Sequence, residues 1–200
     1  MSEIVVQKFG GTSVGTVDRI DSVAEIIKNA SKLNKIVVVV SAMGGETNRL
    51  VDLAKAFGDD PDKREFDALV STGETVSSAL LTMALHSKGI KAKSFSASQI
   101  SMRTTSTYSK AKILDVDAKK ILDVIDSDTI PIITGFQGVT EGGDVTTLGR
   151  GGSDTTAVAI AAQIDAVRCD IYTDVDGIFT TDPGVCLLYT SDAADDETSG

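Results

Sequence analysis

Continuous apolar runs rich in β-branched residues alternate with helical patterns along most of this chain. "EIVVQKF" (3–9), "KIVVVVS" (35–41), "TIPIITGF" (129–136) and "RCDIYTD" (168–174) read as strands. Ile36–Val40 has no polar interruption, the pattern of a strand covered on both faces. "KAKSFSA" (91–97) reads as a shorter or edge strand. Between them lie helices: one in which Val17, Ile20, Ala24 and Ile27 recur at three-to-four spacing, then about 47–58, 64–87, 115–126 and 153–164. Strand, helix, strand in repeated order predicts an α/β fold, a three-layer α/β/α sandwich with a mainly parallel central sheet. Ligands of such sheets sit beyond the carboxyl ends of the strands. Four polar, partly glycine-rich loops fall there: after strand one, after strand two (Ala42 to Glu46), before helix 153–164, and after the last strand.

Composition removes several alternatives. Two hundred residues suffice for one large α/β domain. The formal net charge of −10, 4% aromatic content and absence of Trp speak against nucleic-acid binding, which needs basic patches and stacking platforms. The two cysteines, Cys169 and Cys186, form no pairing framework, which fits a reducing compartment. No signal peptide precedes the first strand, and Ile36–Val40 is too short to span a membrane, so a cytoplasmic protein with no membrane partner is expected. His86 and Cys169 are expected to be a surface residue and a core residue, respectively. The last fifteen residues carry Asp192, Asp195, Asp196 and Glu197 with no Lys or Arg, the composition of a disordered acidic tail.

The loops hold the chemistry. In "KFGGTS", Lys8 ends a strand, and Gly10 and Gly11 expose backbone N–H groups at a turn feeding a helix, which suits anionic oxygen. The chain contains no GxxxxGK[ST]. "GRGGSD" (149–154) fails as a dinucleotide fingerprint because its sixth position is Asp154, whose carboxylate would repel a pyrophosphate. Glu74 follows Gly73 within a helical pattern, at a cost in helix stability that suggests another use. "YTDVDGIFTTDP" (172–183) groups Asp174, Asp176 and Asp182 but lacks EF-hand spacing. No metal-ligand set is assigned.

Together, "KFGGTSV", "VVVVSAMGGETNRL", "STGE", "TTLGRGGSDTT" and "YTDVDGIFTTDP" resemble, in order, the motifs of the aspartate kinases within the amino acid kinase family. The resemblance covers residues 3 to about 183. It implies transfer of the γ-phosphoryl group of ATP, with Mg2+, to the side-chain carboxylate of L-aspartate. It implies catalytic roles for Lys8 and Asp154, the latter orienting the former. Thr47, Glu74, Arg150, Gly151, Gly152 and Ser153 would bind aspartate, with Glu74 on its ammonium and Arg150 on a carboxylate. Lys8, Phe9, Gly10, Gly11, Ser41, Thr173, Asp174, Phe179 and Asp182 would bind the nucleotide; Phe179 stands where relatives often carry Tyr. Members of that family continue beyond "TTDP" with further kinase sequence, including a lysine contacting ATP, and paired ACT regulatory domains. The sequence from about residue 186 resembles neither. Residues 1–185 are therefore expected to form an incomplete catalytic domain without amino-acid feedback, drawn from a parent that is a homo-oligomer. Three alternatives stay open: a fragment that holds substrate without turnover, a family member acting on another carboxylate or carbamate, and a metal- or anion-binding module on loop 174–182.

Overall fold

The computed structural model describes residues 3–173; Asp174, Asp176, Phe179, Asp182, Cys186, the boundary expected near residue 185 and the acidic stretch 186–200 lie outside the described residues. In chain order the elements are β1 (Ile4–Phe9), α1 (Val17–Ala30), β2 (Lys35–Val40), α2 (Glu46–Lys55), α3 (Lys63–Val70), α4 (Thr72–Ser87) and β3 (Ala92–Phe95). There follow β4 (Arg103–Thr104), β5 (Ile113–Asp115), α5 (Ala118–Asp126), β6 (Ile130–Thr134), β7 (Gln137–Val139), β8 (Val145–Thr147), α6 (Gly152–Gln163) and β9 (Arg168–Tyr172).

The five long strands form one sheet in the order β3-β6-β2-β1-β9, with every pairing parallel. The β-branched runs lie in its centre: Val37 to Val40 of β2 are wholly buried. Alternate residues feed two cores. Val5, Phe9, Val38 and Val40 pack with Ile20, Val23, Ala24 and Ile27 of α1 and Leu81 and Leu85 of α4. Val6, Val37 and Val39 pack with Ile121 and Ile125 of α5 and Ala157 and Ile160 of α6. Helices thus cover both faces, as the unbroken apolar strands require.

Three expectations change in detail. Val17 begins α1 and is 70% exposed; the buried stripe is Ile20, Val23, Ala24 and Ile27. Thr16 caps that helix, its hydroxyl accepting from the Arg19 amide, which turns Val17 outward as the first helical residue. The helix expected over 64–87 is divided at Ser71 into α3 and α4, placing Gly73 and Glu74 in a first turn instead of mid-helix. Counted across Ser71, Lys63–Ser87 is long and apolar enough to cross a membrane, yet half of it is buried inside the protein. Finally, a small second sheet, β5-β4-β7-β8, flanks the first. β3 is an edge strand as expected, and His86 is exposed. Cys169 packs half-buried against the α5/α6 core.

Candidate active site

Three of the four loops at the strand carboxyl ends meet around one cavity of 410 Å³. Lys8, Gly11 and Thr12 come from the end of β1, Ser41 to Gly45 from the end of β2, and Gly149 to Asp154 from the start of α6. Thr47, Glu74 and Phe136 complete the wall. The loop after β9 lies outside the described residues beyond Thr173, which is exposed.

Glu74 is 3% exposed although it is a carboxyl group. Its Oε1 accepts a hydrogen bond from the Ala42 amide at 3.1 Å, while its buried Oε2 has no partner among the described residues. Burial pushes its pKa up to about 7, against the lowering effect of the two backbone amides, its own and that of Ala42. A half-satisfied buried carboxyl on a cavity wall is costly unless a cation completes it. Gly73 makes this placement possible: a Cβ there would stand 2.8 Å from Ala42 Cβ. Alanine normally favours a helix over glycine by about 1 kcal/mol, but here the overlap dominates. Gly73→Ala is expected to destabilise the protein by a net ~1–2 kcal/mol, read as a lower thermal midpoint. A raised midpoint would show that the β2–α2 loop yields freely.

Lys8 lies near the end of β1, beside the central strand β2, on the face that packs against α6, and its side chain is only 9% exposed. Its Nζ is 2.6 Å from Asp154 Oδ1, in the first turn of α6, whose side chain is 47% exposed. The pair fixes the ammonium at the cavity wall while leaving the cavity side of Asp154 open. Around it the backbone is arranged for negative charge. Gly11, Thr12 and Ser13 make no amide hydrogen bond among the described residues, and α2 and α6 start at the cavity wall from Gly45 and Gly151 in left-handed conformations. Helix N-termini and free turn amides favour anionic oxygen.

Gly10 and Phe9 are placed differently from expectation. The Gly10 amide donates to the Tyr172 carbonyl at 3.0 Å, so it is committed to the β1–β9 pairing and cannot serve a phosphoryl oxygen. The Phe9 side chain is fully buried and stacks on the Tyr172 ring at 4.5 Å, inside the core. The amides left uncommitted in this turn are those of Gly11, Thr12 and Ser13.

Arg150 is exposed on the cavity rim and makes no hydrogen bond or ion pair among the described residues. Ser153 is buried, and Gly152 is close-packed against Phe136. Phe136 was not anticipated: it lines the cavity with a φ of +67°. For a bulky residue this is strained backbone, of the kind that concentrates at functional sites. Its amide donates to Thr156 Oγ1 and its carbonyl accepts from Leu148, so both neighbours hold the strained peptide in place. No group of acidic, histidine or cysteine side chains suited to a metal ion occurs among the described residues.

Comparison with known proteins bears on this arrangement. The model of the amino acid kinase family matches residues 3–198. The chain is 56% identical to the aspartate kinase Ask_LysC of Stutzerimonas stutzeri over 183 residues, which is 91% of this chain and 44% of that protein. It is likewise 56% identical to an aspartokinase of Geobacillus stearothermophilus over 181 residues, 90% of this chain and 44% of that one. It therefore spans less than half the length of these relatives. In structure it resembles E. coli aspartokinase III in complex with aspartate and ADP, with a TM-score of 0.82 at 31% identity over 92% of this chain and 52% of the other. It also resembles the aspartate kinase of Synechocystis, with a TM-score of 0.76 at 46% identity over 90% of this chain and 30% of the other.

Proposed function

This chain belongs to the amino acid kinase family, and we propose that it carries the aspartate kinase reaction, phosphorylating the side-chain carboxylate of L-aspartate to give 4-phospho-L-aspartate. The observation that carries this reading is the pairing, on one cavity, of a buried carboxyl with an unpartnered oxygen (Glu74) and an unpaired guanidinium (Arg150). That pair suits a free amino acid: ammonium against Glu74, α-carboxylate in the fork of Arg150. The remaining carboxylate is then left for the cationic corner made by Lys8 and the Gly11–Ser13 amides. Aspartate is the substrate of the similar proteins by name, and aspartate and ADP are bound in the related aspartokinase III.

The residues present also fit the phosphoryl end of a nucleotide: a buried lysine, three uncommitted amides and two helix N-termini. Bound MgATP would supply the phosphoryl group. Lys8 would neutralise the charge that develops on the transferring oxygens, with its ammonium oriented by Asp154. In this reading Thr47 and Ser153 would offer hydroxyls to the substrate and Ser41 and Thr173 would serve the nucleotide, together with Asp174, Phe179 and Asp182, which lie outside the described residues. Gly151 and Gly152 leave the backbone bare for close approach. This chemistry demands positioning and charge neutralisation and no protein nucleophile. We place the reaction in the cytoplasm.

A coupled assay of ADP release with L-aspartate, L-glutamate and carbamate tests the assignment, with aspartate expected to be strongly preferred. Preference for glutamate would remove the aspartate reading while leaving the family intact. Calorimetric binding of aspartate without ADP release would mark a substrate-holding fragment. Arg150→Ala is expected to raise the Kd for aspartate about 10- to 100-fold, the worth of a charged hydrogen-bonded pair.

A further inference from the structure

Asp67 is the most completely satisfied buried carboxyl in the described residues, and it touches no part of the cavity. It is fully buried in α3. Its Oδ2 accepts from two backbone amides, Ser109 at 2.8 Å and Thr147 at 2.7 Å. Its Oδ1 accepts from the hydroxyls of the same two residues, each at 2.9 Å. One carboxyl thus clamps α3 to the 105–112 loop and to the end of β8. Burying such a group is costly unless every lone pair is used, and here they are. A more exposed second layer joins α3 and the 105–112 loop to the β7–β8 turn: Arg64 of α3 pairs with Asp144 of that turn at 2.7 Å, and Tyr108 donates to Asp144 at 3.1 Å.

Both ends of this clamp lead into the cavity wall. Downstream of Asp67 the chain passes Ser71, whose carbonyl accepts from Gln137 Nε2 at 2.9 Å, and reaches Glu74 two helical turns on. Downstream of Thr147, the Leu148 amide is held by the Phe136 carbonyl at 2.9 Å, and Arg150 follows two residues later. The Ser109 carbonyl packs against Gly149, 3.3 Å from where a Cβ would stand. Arg150 itself has no side-chain partner among the described residues to hold it, so its position derives from the backbone on either side. We propose that Asp67 is a positioning residue that sets the span between the Glu74 wall and the Arg150 wall, and thereby the preference for a four-carbon over a five-carbon dicarboxylic amino acid. This rests on the reading of those two walls as the ammonium and carboxylate sites.

The clamp makes a distinctive demand on substitutions. Asn at 67 can keep it, with its oxygen on the two amides and its NH2 donating to the two hydroxyls, which can rotate to accept. Ala cannot. The experiment compares the 200-residue protein with Asp67→Ala, Asp67→Asn and Ser109→Ala by calorimetric titration with L-aspartate and with L-glutamate, and by amide hydrogen exchange. Asp67→Ala is expected to narrow the aspartate-to-glutamate affinity ratio at least about tenfold and to speed exchange in residues 147–152, with β1 and β2 unchanged. Asp67→Asn is expected to restore both, and Ser109→Ala to give an intermediate shift in a fold that keeps the carboxyl. If Asp67→Ala does not fold, Ser109→Ala decides. A wild-type ratio and wild-type exchange in the variants would overturn the proposal. If the unaltered protein binds neither amino acid, the assigned walls and the span role fall together, and exchange alone then decides whether the clamp orders the Arg150 loop.

Discussion

Lys8→Ala is expected to lower the rate of aspartate-dependent ADP release by roughly 10²–10³-fold, the usual cost of removing one preorganised charge from a transferring group. The Kd for aspartate should change little by comparison, because Glu74 and Arg150 remain. Two features make the effect large. Lys8 is nearly buried, so the field of its ammonium is poorly screened. Its loss also leaves Asp154 as an uncompensated carboxylate at the place where phosphoryl charge must be accepted. Asp154→Asn keeps the cation and loses its orienting partner, so a smaller fall is expected. Single-turnover measurement with saturating aspartate separates the chemical step from binding; an unchanged rate in Lys8→Ala would remove Lys8 from the mechanism.

The large sheet was legible because its strands are long and continuously apolar. Val37–Val40 can only be a strand buried on both faces, and its parallel neighbours follow from the helices between them. The second sheet was not, since strands of two or three residues, such as Arg103–Thr104, are too short to show any period. The break between α3 and α4 was hidden for another reason. Ser71 keeps helical dihedrals (φ −65°, ψ −15°), so no turn residue announces it. A tertiary contact coincides with the break, the hydrogen bond from Gln137 Nε2 to the Ser71 carbonyl.

The site was legible where chemistry forces unusual composition. A lysine at a strand end, paired glycines, and an Arg and an Asp before an apolar helix all stand out locally, and Lys8, Gly11, Arg150 and Asp154 do meet on one cavity. Gly10 misled because a bare amide in sequence is a free amide only if no neighbouring strand takes it, and β9 does. Phe136 and Asp67 could not be found this way. A Phe between Gly135 and Gln137 signals a turn at most, and its left-handed backbone exists only because Thr156 and Leu148 hold it. Asp67 looks like any solvated helix acid until the fold brings Ser109 and Thr147 to it, 42 and 80 residues away in sequence.

Glu74 makes the second large prediction, and it concerns pH. With its carboxyl pushed up to about 7 by burial, the unliganded site is largely protonated at pH 6 and ionised at pH 8. An ammonium group binds the carboxylate, so aspartate must displace a proton at the lower pH. Its Kd is expected to fall close to tenfold per unit as pH rises toward 7 and to level off above it. Titrations in buffers of different ionisation enthalpy should show about one proton released per aspartate at pH 6 and nearly none at pH 8. The same shift sets the sign of the stability effect. Glu74 has a folded pKa above its unfolded value of 4.5, so its contribution is fully present at low pH and is lost as pH rises through 7. The loss is about 3 kcal/mol. Glu74→Gln should abolish both trends. It should raise the thermal midpoint at pH 8, where the wild type holds an unpaired buried charge, and weaken aspartate binding there by at least about thirtyfold. A substitution that stabilises the empty protein while weakening its ligand is the signature of a group kept for binding at the expense of the fold. Aspartate affinity that is flat from pH 6 to pH 8 would instead place the ammonium elsewhere in the cavity.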